Sequence, residues 1–426
     1  MRKSFSSQLR MDCLPIKEVA LNFECRHEII PLLAGLQHLY SELLLREQLT
    51  SLIARDINPD TRTDIGREGF NYWQIAVLGV VQHGQRLHGA AQQAVRADSF
   101  VVDTNIHYPT ESSLIWDGMR KLLPVSGKLA KSLGLTDWRQ RLHQLKQIKQ
   151  QVREIARLSA SESPTVIAQV YPAYGELLKR VGTLLDRVRS LQKTAQTGPL
   201  NQLQDKWFRQ VNHWYSLTSQ VVDTAFRRTQ LGEKVSNEDK LFSLFEPHTQ
   251  LYRRGKAGEP NQFGRMAMVY EDAAGFISHY YLMGRDERDS QVAVEQTRIA
   301  QRKHEGQIQD ASFDRGYYSP DNQTQLAAIV AHVCLPPRHR NQYTQWLKDA
   351  SQRLHESRKR HSGIESAIGA LQSGNGLSRC RDRGEEGLAR YLGLAVLGRN
   401  IQVLGKLLIA RAQAKSAAAG SKRAVA

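Results

Sequence analysis

The segment SFVVDTNIHY, residues 99–108, decides the fold because its β-branched and aromatic residues differ from the helical sequence on both sides. Phe100, Val101 and Val102 form a short apolar run typical of a buried strand, and Asp103 follows directly. The segment predicts that an α/β core begins near residue 98. It also predicts that Asp103 lies at the end of the first strand, where open α/β sheets commonly hold reacting groups.

Helices are expected upstream of this strand. Apolar residues recur at spacings of three and four over residues 28–55, which predicts an amphipathic helix. A turn-rich stretch at 58–69 and a second apolar helix, FNYWQIAVLGVVQHGQRL at 70–87, follow it. Residues 1–97 are therefore expected to form an N-terminal helical unit, which is either a small DNA-binding module or scaffold.

A long helical segment follows the first strand. After a helix at SLIWDGMRKLL, residues 121–239 are expected to form a helical insertion with an antiparallel helical hairpin around Pro164 and Pro172. The coiled-coil-like spacing of threes and fours is carried by Trp138, Leu142, Leu145, Val152 and Ile155, and then by Tyr174, Leu177, Val181, Leu184, Val188 and Leu191. Trp207, Trp214 and Tyr215 either pack against these helices or stack on unpaired bases.

Strand patterns return after the insertion. Two apolar runs flank the turn residues EDAAG at 264–284 and predict a β-hairpin, and AAIVAHVCL at 327–335 predicts a further strand. Helices are expected at 342–371 and 387–411, followed by a basic disordered tail at 411–426. The fold class is therefore α/β with large helical content, in which a core of residues 98–120 and 240–410 is interrupted by the insertion.

Composition favours a polyanionic partner. Lys and Arg number 59 against 42 Asp and Glu, which gives a formal charge of +17 and a pI near 9.8. The basic residues are dispersed, and Arg399, Asn400 and Lys406 interrupt the apolar stretch 391–410, so neither a membrane anchor nor a membrane span is predicted. The first thirty residues lack a secretory pattern, and four cysteines without a CxxC pair fit a reducing cytoplasm.

Three carboxylates stand out, and each also has a structural interpretation. Asp103 follows a strand but also fits a turn or cap. Asp314 precedes the loop formers Gly316 and Pro320 and fits a turn cap, and Glu365 completes a capping-box pattern with Ser362. The residues His332, Cys334, His339 and His361 match no common zinc-ligand spacing.

Several motifs in order resemble one enzyme family. VVDTNIHYPTESSLIWDGMRKLL, EPHTQLYRRGKAGEPNQFGRMAMVYED and SFDRGYYSPDNQ are similar to bacterial insertion-sequence transposases of the DDE superfamily, particularly the ISNCY-like group. HSGIESAIGALQSGNGLSRCRDRG and YLGLAVLGRNIQVLGKLL extend the resemblance over residues 98–408.

The resemblance implies a ribonuclease H-like core whose helical insertion separates two catalytic aspartates. Carried over by motif, the metal-binding catalytic residues are Asp103 in VDTN, Asp314 in FDRGY and Glu365 in SGIES. They would hold two Mg²⁺ or Mn²⁺ ions, which suit oxygen ligands and in-line displacement at phosphorus. Five basic residues would contact DNA phosphates near the metal centre: Arg315, Arg358, Lys359, Arg360 and His361. The alternative is that they face only solvent.

The resemblance also implies the reaction and the partners. The enzyme would cleave double-stranded DNA at terminal inverted repeats and join the 3′ ends to target DNA, as a homodimer or larger complex in the bacterial cytoplasm, associated with the nucleoid when bound to DNA. Two alternatives stay open. One is an inactive or truncated copy that only binds DNA, and the other is a metal-dependent nuclease that does not join strands.

Overall fold

The protein, described here from a computed structural model, has an α/β fold with 62% helix and a mixed, curled sheet. The described residues are 16–25, 27–57, 76–77, 79–84, 94–136, 138–253, 260–285 and 287–424. The predicted turn-rich stretch 58–69 lies outside them, as does more than half of the predicted helix at 70–87. The described part of that helix, residues 76–77 and 79–84, is helical.

The chain forms two compact units. The first contains Met1–Asp103 and Arg265–Ala426, and the second contains Thr104–Gly264. Helices α1 (Ile29–Ser41) and α2 (Leu43–Ile57) belong to the first unit, together with most of the sheet. The described part of the N-terminal region therefore falls in the same compact unit as most of the sheet. The helical insertion lies within the second unit, which extends beyond the predicted boundaries on both sides.

The second unit is a helical bundle built on the apolar stripe. Its helices are α3 (Glu111–Ser132), α4 (Arg141–Ser159), α5 (Pro164–Ile167), α6 (Val170–Gln196) and α7 (Gln202–Thr229). The six stripe residues predicted on α6 are all buried, and α4 packs on α6 as predicted. On the stripe predicted upstream, Leu142 of α4 does not pack in the core, because 68% of its surface is exposed. Trp207, Trp214 and Tyr215 pack against the bundle core, which agrees with the packing alternative.

Six strands form the sheet. They are β1 (Ala94–Asp103), β2 (Gln250–Tyr252), β3 (Gln262–Asp272), β4 (Ile277–Leu282), β5 (Asp310–Phe313) and β6 (His332–Cys334). In the first unit the order is β4-β3-β1-β5-β6, with β1, β5 and β6 parallel and β4 antiparallel to β3. In the second unit, β2 pairs antiparallel with the first residues of β3.

The predicted hairpin is confirmed as β3 and β4. Its turn is stabilised by Asp272, whose Oδ1 accepts hydrogen bonds from the backbone N–H groups of Ala274 and Phe276 at 2.9 and 3.0 Å. Gly275 has a φ of 86°, a left-handed conformation that favours glycine. The strand predicted at 327–335 is only three residues long, because helix α9 (Pro320–Ala327) precedes it.

The remaining helices of the first unit begin and end at other residues than predicted. They are α8 (Asp289–Lys303), α10 (Arg340–Asp349), α11 (Gln352–His361), α12 (Ile364–Gly369) and α13 (Gly384–Ala424). The single helix predicted at 342–371 is thus three short helices. The predicted disordered tail is wrong for residues 411–424, which continue α13. Their many alanines are strong helix formers.

Helix α13 packs in the core of the first unit. A Cβ on Gly35 of α1 would clash with the backbone of Ile401, and one on Gly405 would clash with Pro31, so α1 and α13 approach closely. Buried Asn400 donates to the carbonyl of Ile277 at 2.9 Å and accepts from its N–H at 2.8 Å. By length and composition Gly384–Ala418 would pass as a membrane span, with mean hydropathy 1.4, but so do the core helices of soluble proteins, and 56% of its apolar window is buried.

A buried polar network connects α8 to β4. Lys303 Nζ lies 2.9 Å from His279 Nδ1, and His279 Nε2 lies 3.0 Å from Gln296 Oε1. Burial lowers the pKa of Lys303 to about 7 and, with the nearby Lys303 charge, that of His304 to about 4. Burial also lowers the pKa of His279, again assisted by Lys303. The fold therefore favours the uncharged forms of all three groups.

Replacing this lysine should change how stability depends on pH. Because the pKa of Lys303 is about 7 in the fold and near 10.4 in an unfolded chain, the unfolded state binds more protons between these values, and stability rises with pH. We expect the free energy of unfolding, from urea titrations, to rise between about pH 7 and pH 9.5 by roughly 2–4 kcal/mol.

Lys303→Met should remove most of this rise, whereas Lys406→Met, which changes an exposed lysine on α13, should preserve it. Parallel pH curves for the wild type and Lys303→Met would contradict the assignment.

Candidate active site

Parallel pairing of β1 with β5 decides which residues lie near Asp314. The register pairs Arg96 with Ser312 and, as its last pair, Ala97 with Phe313. Asp98 and Asp314 are the residues that follow on each side, so the same register extended by one residue sets them opposite each other. Asp314 directly follows β5 and keeps an extended backbone, with φ −76° and ψ 165°. Neighbouring residues in parallel register lie about 4.8 Å apart and project to the same face of the sheet. Half-buried Asp98 is therefore expected to lie beside exposed Asp314.

Asp103 has a different position. It lies five residues after Asp98, about 16 Å along the strand, and alternation places it on the opposite face. Its backbone carbonyl accepts a hydrogen bond from Cys380 N at 2.7 Å. Its backbone also forms an isolated parallel β-bridge with that of Arg379. The structure thus does not bring Asp103 beside Asp314, and a catalytic role for it stays a prediction that this register does not favour.

Asp98 is not among the residues predicted from the sequence, because the strand was expected to start at residue 99, whereas β1 begins at Ala94. The sequence pattern that could have predicted the earlier start is the alternation of apolar and charged residues in AVRAD, residues 94–98. In the structure, Arg96 and Asp98 are half-buried and their neighbours are buried. Arg96, Asp98, Phe100 and Val102 share one face, and Phe100 and Val102 pack in a core cluster that includes Ile364 of α12. Asp98 therefore points to the side of the sheet that carries α12.

Glu365 lies in the first turn of α12 and is exposed. The capping box considered from its sequence is not formed, because Ser362 donates its hydroxyl to Lys359 O at 2.9 Å and the N-cap residue is Gly363. Glu365 is therefore not held by a cap. Asp314, in contrast, does cap a short helical turn, since its Oδ1 accepts from the N–H of Arg315 at 2.6 Å.

His361 connects the surroundings of Asp314 and Glu365. Its Nδ1 lies 3.2 Å from the hydroxyl of Ser312 on β5. Burial lowers the pKa of His361, and the charges of Asp314 and Glu365 partly offset this effect. Burial therefore favours the uncharged ring, and the predicted contact of His361 with DNA phosphates stays a prediction.

Arg96 fixes the junction that carries Glu365. From β1, its Nε donates to Glu271 Oε2 at 2.6 Å and its Nη1 donates to the carbonyl of Arg360 at 2.6 Å. A Cβ on Gly363 would clash with this guanidinium. Arg96 thus ties the end of α11 and the start of α12 to the strand that bears Asp98, two residues away.

A further carboxylate lies near Asp314. Asp289, the first residue of α8, contacts the turn after Asp314, since a Cβ on Gly316 would lie 3.3 Å from Asp289 Oδ2. Burial raises the pKa of Tyr317 in this turn, and the charges of Asp289 and Asp98 raise it further. Asp98 and Asp289 therefore lie within electrostatic reach of the same phenol group.

The donor set suits a hard cation that is completed by its substrate. Within the described part of the chain, no group of three or more His, Cys, Asp or Glu residues is close enough to hold a metal ion by itself. Mg²⁺ commonly uses one or two carboxylates, and substrate phosphates and water supply the other oxygens. Asp98 and Asp314, which the extended register sets on one face, would fit that requirement. Cys334, considered for zinc, is a buried thiol whose pKa is raised by burial to about 11.

The predicted basic residues divide into two groups. Arg315 and Arg358 lie against the ring of Tyr343, whereas Lys359 and Arg360 are exposed at the end of α11. All four lie close in sequence to Asp314 or Glu365. A phosphate backbone approaching these two carboxylates would therefore meet positive charge.

The close packing of Arg96 under Gly363 can be tested with a matched pair of substitutions. Gly363→Ala should lower the free energy of unfolding by about 1–3 kcal/mol, because the new methyl group displaces the guanidinium. Gly369→Ala, in the same helix with nothing within 4 Å of its Cβ, should be neutral or stabilising by up to about 1 kcal/mol. Chemical denaturation measures both, and equal effects of the two substitutions would rule out the proposed contact.

Comparisons of the chain with models of known protein families, with curated proteins and with solved structures found no match. Its function is therefore argued from its own residues and their geometry.

Proposed function

We propose that the chain is a transposase that cleaves the ends of an insertion sequence and joins them to target DNA. The observation that supports the proposal is the parallel register of β1 and β5, which extended by one residue sets Asp98 opposite Asp314. The contact of His361 with Ser312 brings the chain shortly before Glu365 to the strand that leads into Asp314. Two strand-borne aspartates and one helical glutamate are the arrangement that a ribonuclease H-like core requires. The parallel trio β1, β5 and β6, extended by the β3–β4 hairpin, supports assigning that core to the first unit.

The metal-binding residues in this proposal are Asp98, Asp314 and Glu365, and Asp98 takes the place that the sequence analysis gave to Asp103. Bound Mg²⁺ or Mn²⁺ ions, most simply two, would supply Lewis-acid stabilisation of the attacking and leaving oxygens at phosphorus. Asp98 and Asp314 present carboxylate oxygens from adjacent strands, which are rigid supports. Glu365 approaches from α12, whose position depends on Arg96 and on the contact of His361 with Ser312.

The charge of the chain supports a DNA substrate. A formal charge of +17 favours binding to phosphate backbones, and Lys359 and Arg360 concentrate positive charge five and six residues before Glu365. In the proposed reaction, hydrolysis at the end of the element leaves a 3′-hydroxyl, which then attacks the target strand. The partners are thus double-stranded DNA with terminal inverted repeats and target DNA, bound by a homodimer or larger assembly in the cytoplasm.

The proposal is tested by incubating purified protein with labelled element-end DNA, taken from the DNA flanking the gene, and with Mg²⁺ or Mn²⁺. Asp98→Asn, Asp314→Asn and Glu365→Gln should each lower the cleavage rate by about a hundredfold or more, because each removes a ligand of a charge-stabilising ion. Asp103→Asn is the matched control, and it should stay within a few-fold of the wild type.

Other outcomes would identify a different function. Cuts without joined products would indicate a nuclease, and binding of the DNA end by a folded protein that never cuts would indicate an inactive copy. A rate that falls with Asp103→Asn but not with Asp98→Asn would reject the assignment based on the strand register.

A further inference from the structure

Helix α10 presents an aromatic pair on its surface. This ten-residue helix, Arg340–Asp349, has no buried residue. Tyr343 and Trp346 lie one turn apart and are both partly exposed, with ring centroids 6.0 Å apart and ring planes inclined by only 21°. A helix that buries nothing contributes little to the core, so the stacked pair needs another explanation.

Two arginines surround the tyrosine of this pair. The guanidinium carbon of Arg315 lies 3.8 Å from the centroid of the Tyr343 ring, and that of Arg358 lies 4.8 Å from it. Over the residues that the structure describes, neither arginine forms an ion pair with a carboxylate. Arg353, between them in sequence, differs, because its Nε and Nη2 donate to Asp310 at 2.8 Å each. The charges of Arg315 and Arg358 therefore remain available to a ligand.

The same surface is attached to the candidate active site. Arg315 follows Asp314 directly, and Arg338 donates hydrogen bonds to the carbonyls of Arg315 and Gly316. These bonds hold the turn after Asp314 against the chain that leads into α10. We call the set of Arg315, Arg338, Tyr343, Trp346 and Arg358 the arginine–aromatic surface.

We propose that the arginine–aromatic surface binds a single-stranded segment of DNA next to the cleaved phosphate. The inference rests on the proposed function and deepens it by naming the form of DNA that the site accepts. The arginines bind phosphates, and Trp346 stacks on an unpaired base. A base pair inside a duplex cannot stack in this way, because its neighbours cover both of its faces.

This division of roles predicts two separable effects. Arginine–phosphate contacts form with paired and unpaired nucleotides alike, and they increase the salt dependence of the binding affinity. Stacking on an aromatic ring requires an exposed base face and accepts any base. Loss of Trp346 should therefore affect only DNA with unpaired bases, whereas loss of Arg358 should affect every DNA.

The experiment measures fluorescence anisotropy of labelled DNA with the full chain in Ca²⁺ or EDTA, so that binding is read without cleavage. The probes are a blunt duplex and the same duplex with a three-nucleotide 3′ overhang. The wild type should bind the overhang DNA more tightly. Trp346→Leu should weaken overhang binding about tenfold and leave the blunt duplex nearly unchanged, and Trp346→Phe should retain most of the affinity.

Two further variants complete the design. Arg358→Ala should weaken both probes and lower the slope of log affinity against log salt by about one. Tyr171→Ala, which removes an aromatic residue that is 62% exposed in the second unit, should change neither. Circular dichroism checks that each variant is folded. Trp346→Leu and Trp346→Phe are compared only if both variants are folded.

The inference is overturned if Trp346→Leu and Trp346→Phe weaken the overhang equally, if Trp346→Leu weakens both probes alike, or if the wild type does not prefer the overhang. A stronger preference for an RNA overhang would also reject DNA as the ligand. Failure of the proposed function would give a different result. The cleavage assay would then show no cleavage, or cleavage that does not depend on the carboxylates, while the binding assay would still show the predicted pattern.

Discussion

Parallel hydrogen bonding between β1 and β5 is the constraint on which the candidate site depends. Its register decides which residue of β1 stands beside Asp314, and the alternation of a strand decides which face that residue occupies. A shift of one residue would turn Asp98 to the other face and move Phe100 and Val102 out of the core cluster. Burial of those apolar side chains therefore helps to hold the carboxylates in position.

The second requirement is a fixed approach for Glu365. Three short helices replace one long helix between residues 340 and 369, and the break at Ser362 and Gly363 allows α12 to start over the sheet. Arg96 of β1 holds this break by its hydrogen bond to the carbonyl of Arg360, and Ser312 of β5 holds it by its contact with His361. Both contacts come from strands that carry or precede an aspartate, so the positions of the three carboxylates are coupled through a few side chains.

Periodicity predicted those parts of the fold in which burial alone decides the structure. The stripe on α6 and the hairpin of β3 and β4 were predicted because one face of each is apolar and packs on a core. The start of β1 was not, because Arg96 and Asp98 interrupt the apolar run although their backbone is in the sheet. The helical tail was missed because low hydrophobicity suggested disorder, whereas alanine-rich sequence also favours helix. Motif matching indicated Asp103, Asp314 and Glu365, and the register of β1 and β5 is the reason that the proposal uses Asp98 in place of Asp103.

Metal binding itself tests the central claim most directly. Electron paramagnetic resonance can measure free Mn²⁺ in titrations of the full chain, with the same element-end DNA in every sample. The account predicts that Asp98→Asn and Asp314→Asn weaken Mn²⁺ binding about tenfold or more, while Asp103→Asn binds as the wild type does. Weakened binding in Asp103→Asn together with unchanged binding in Asp98→Asn would contradict it.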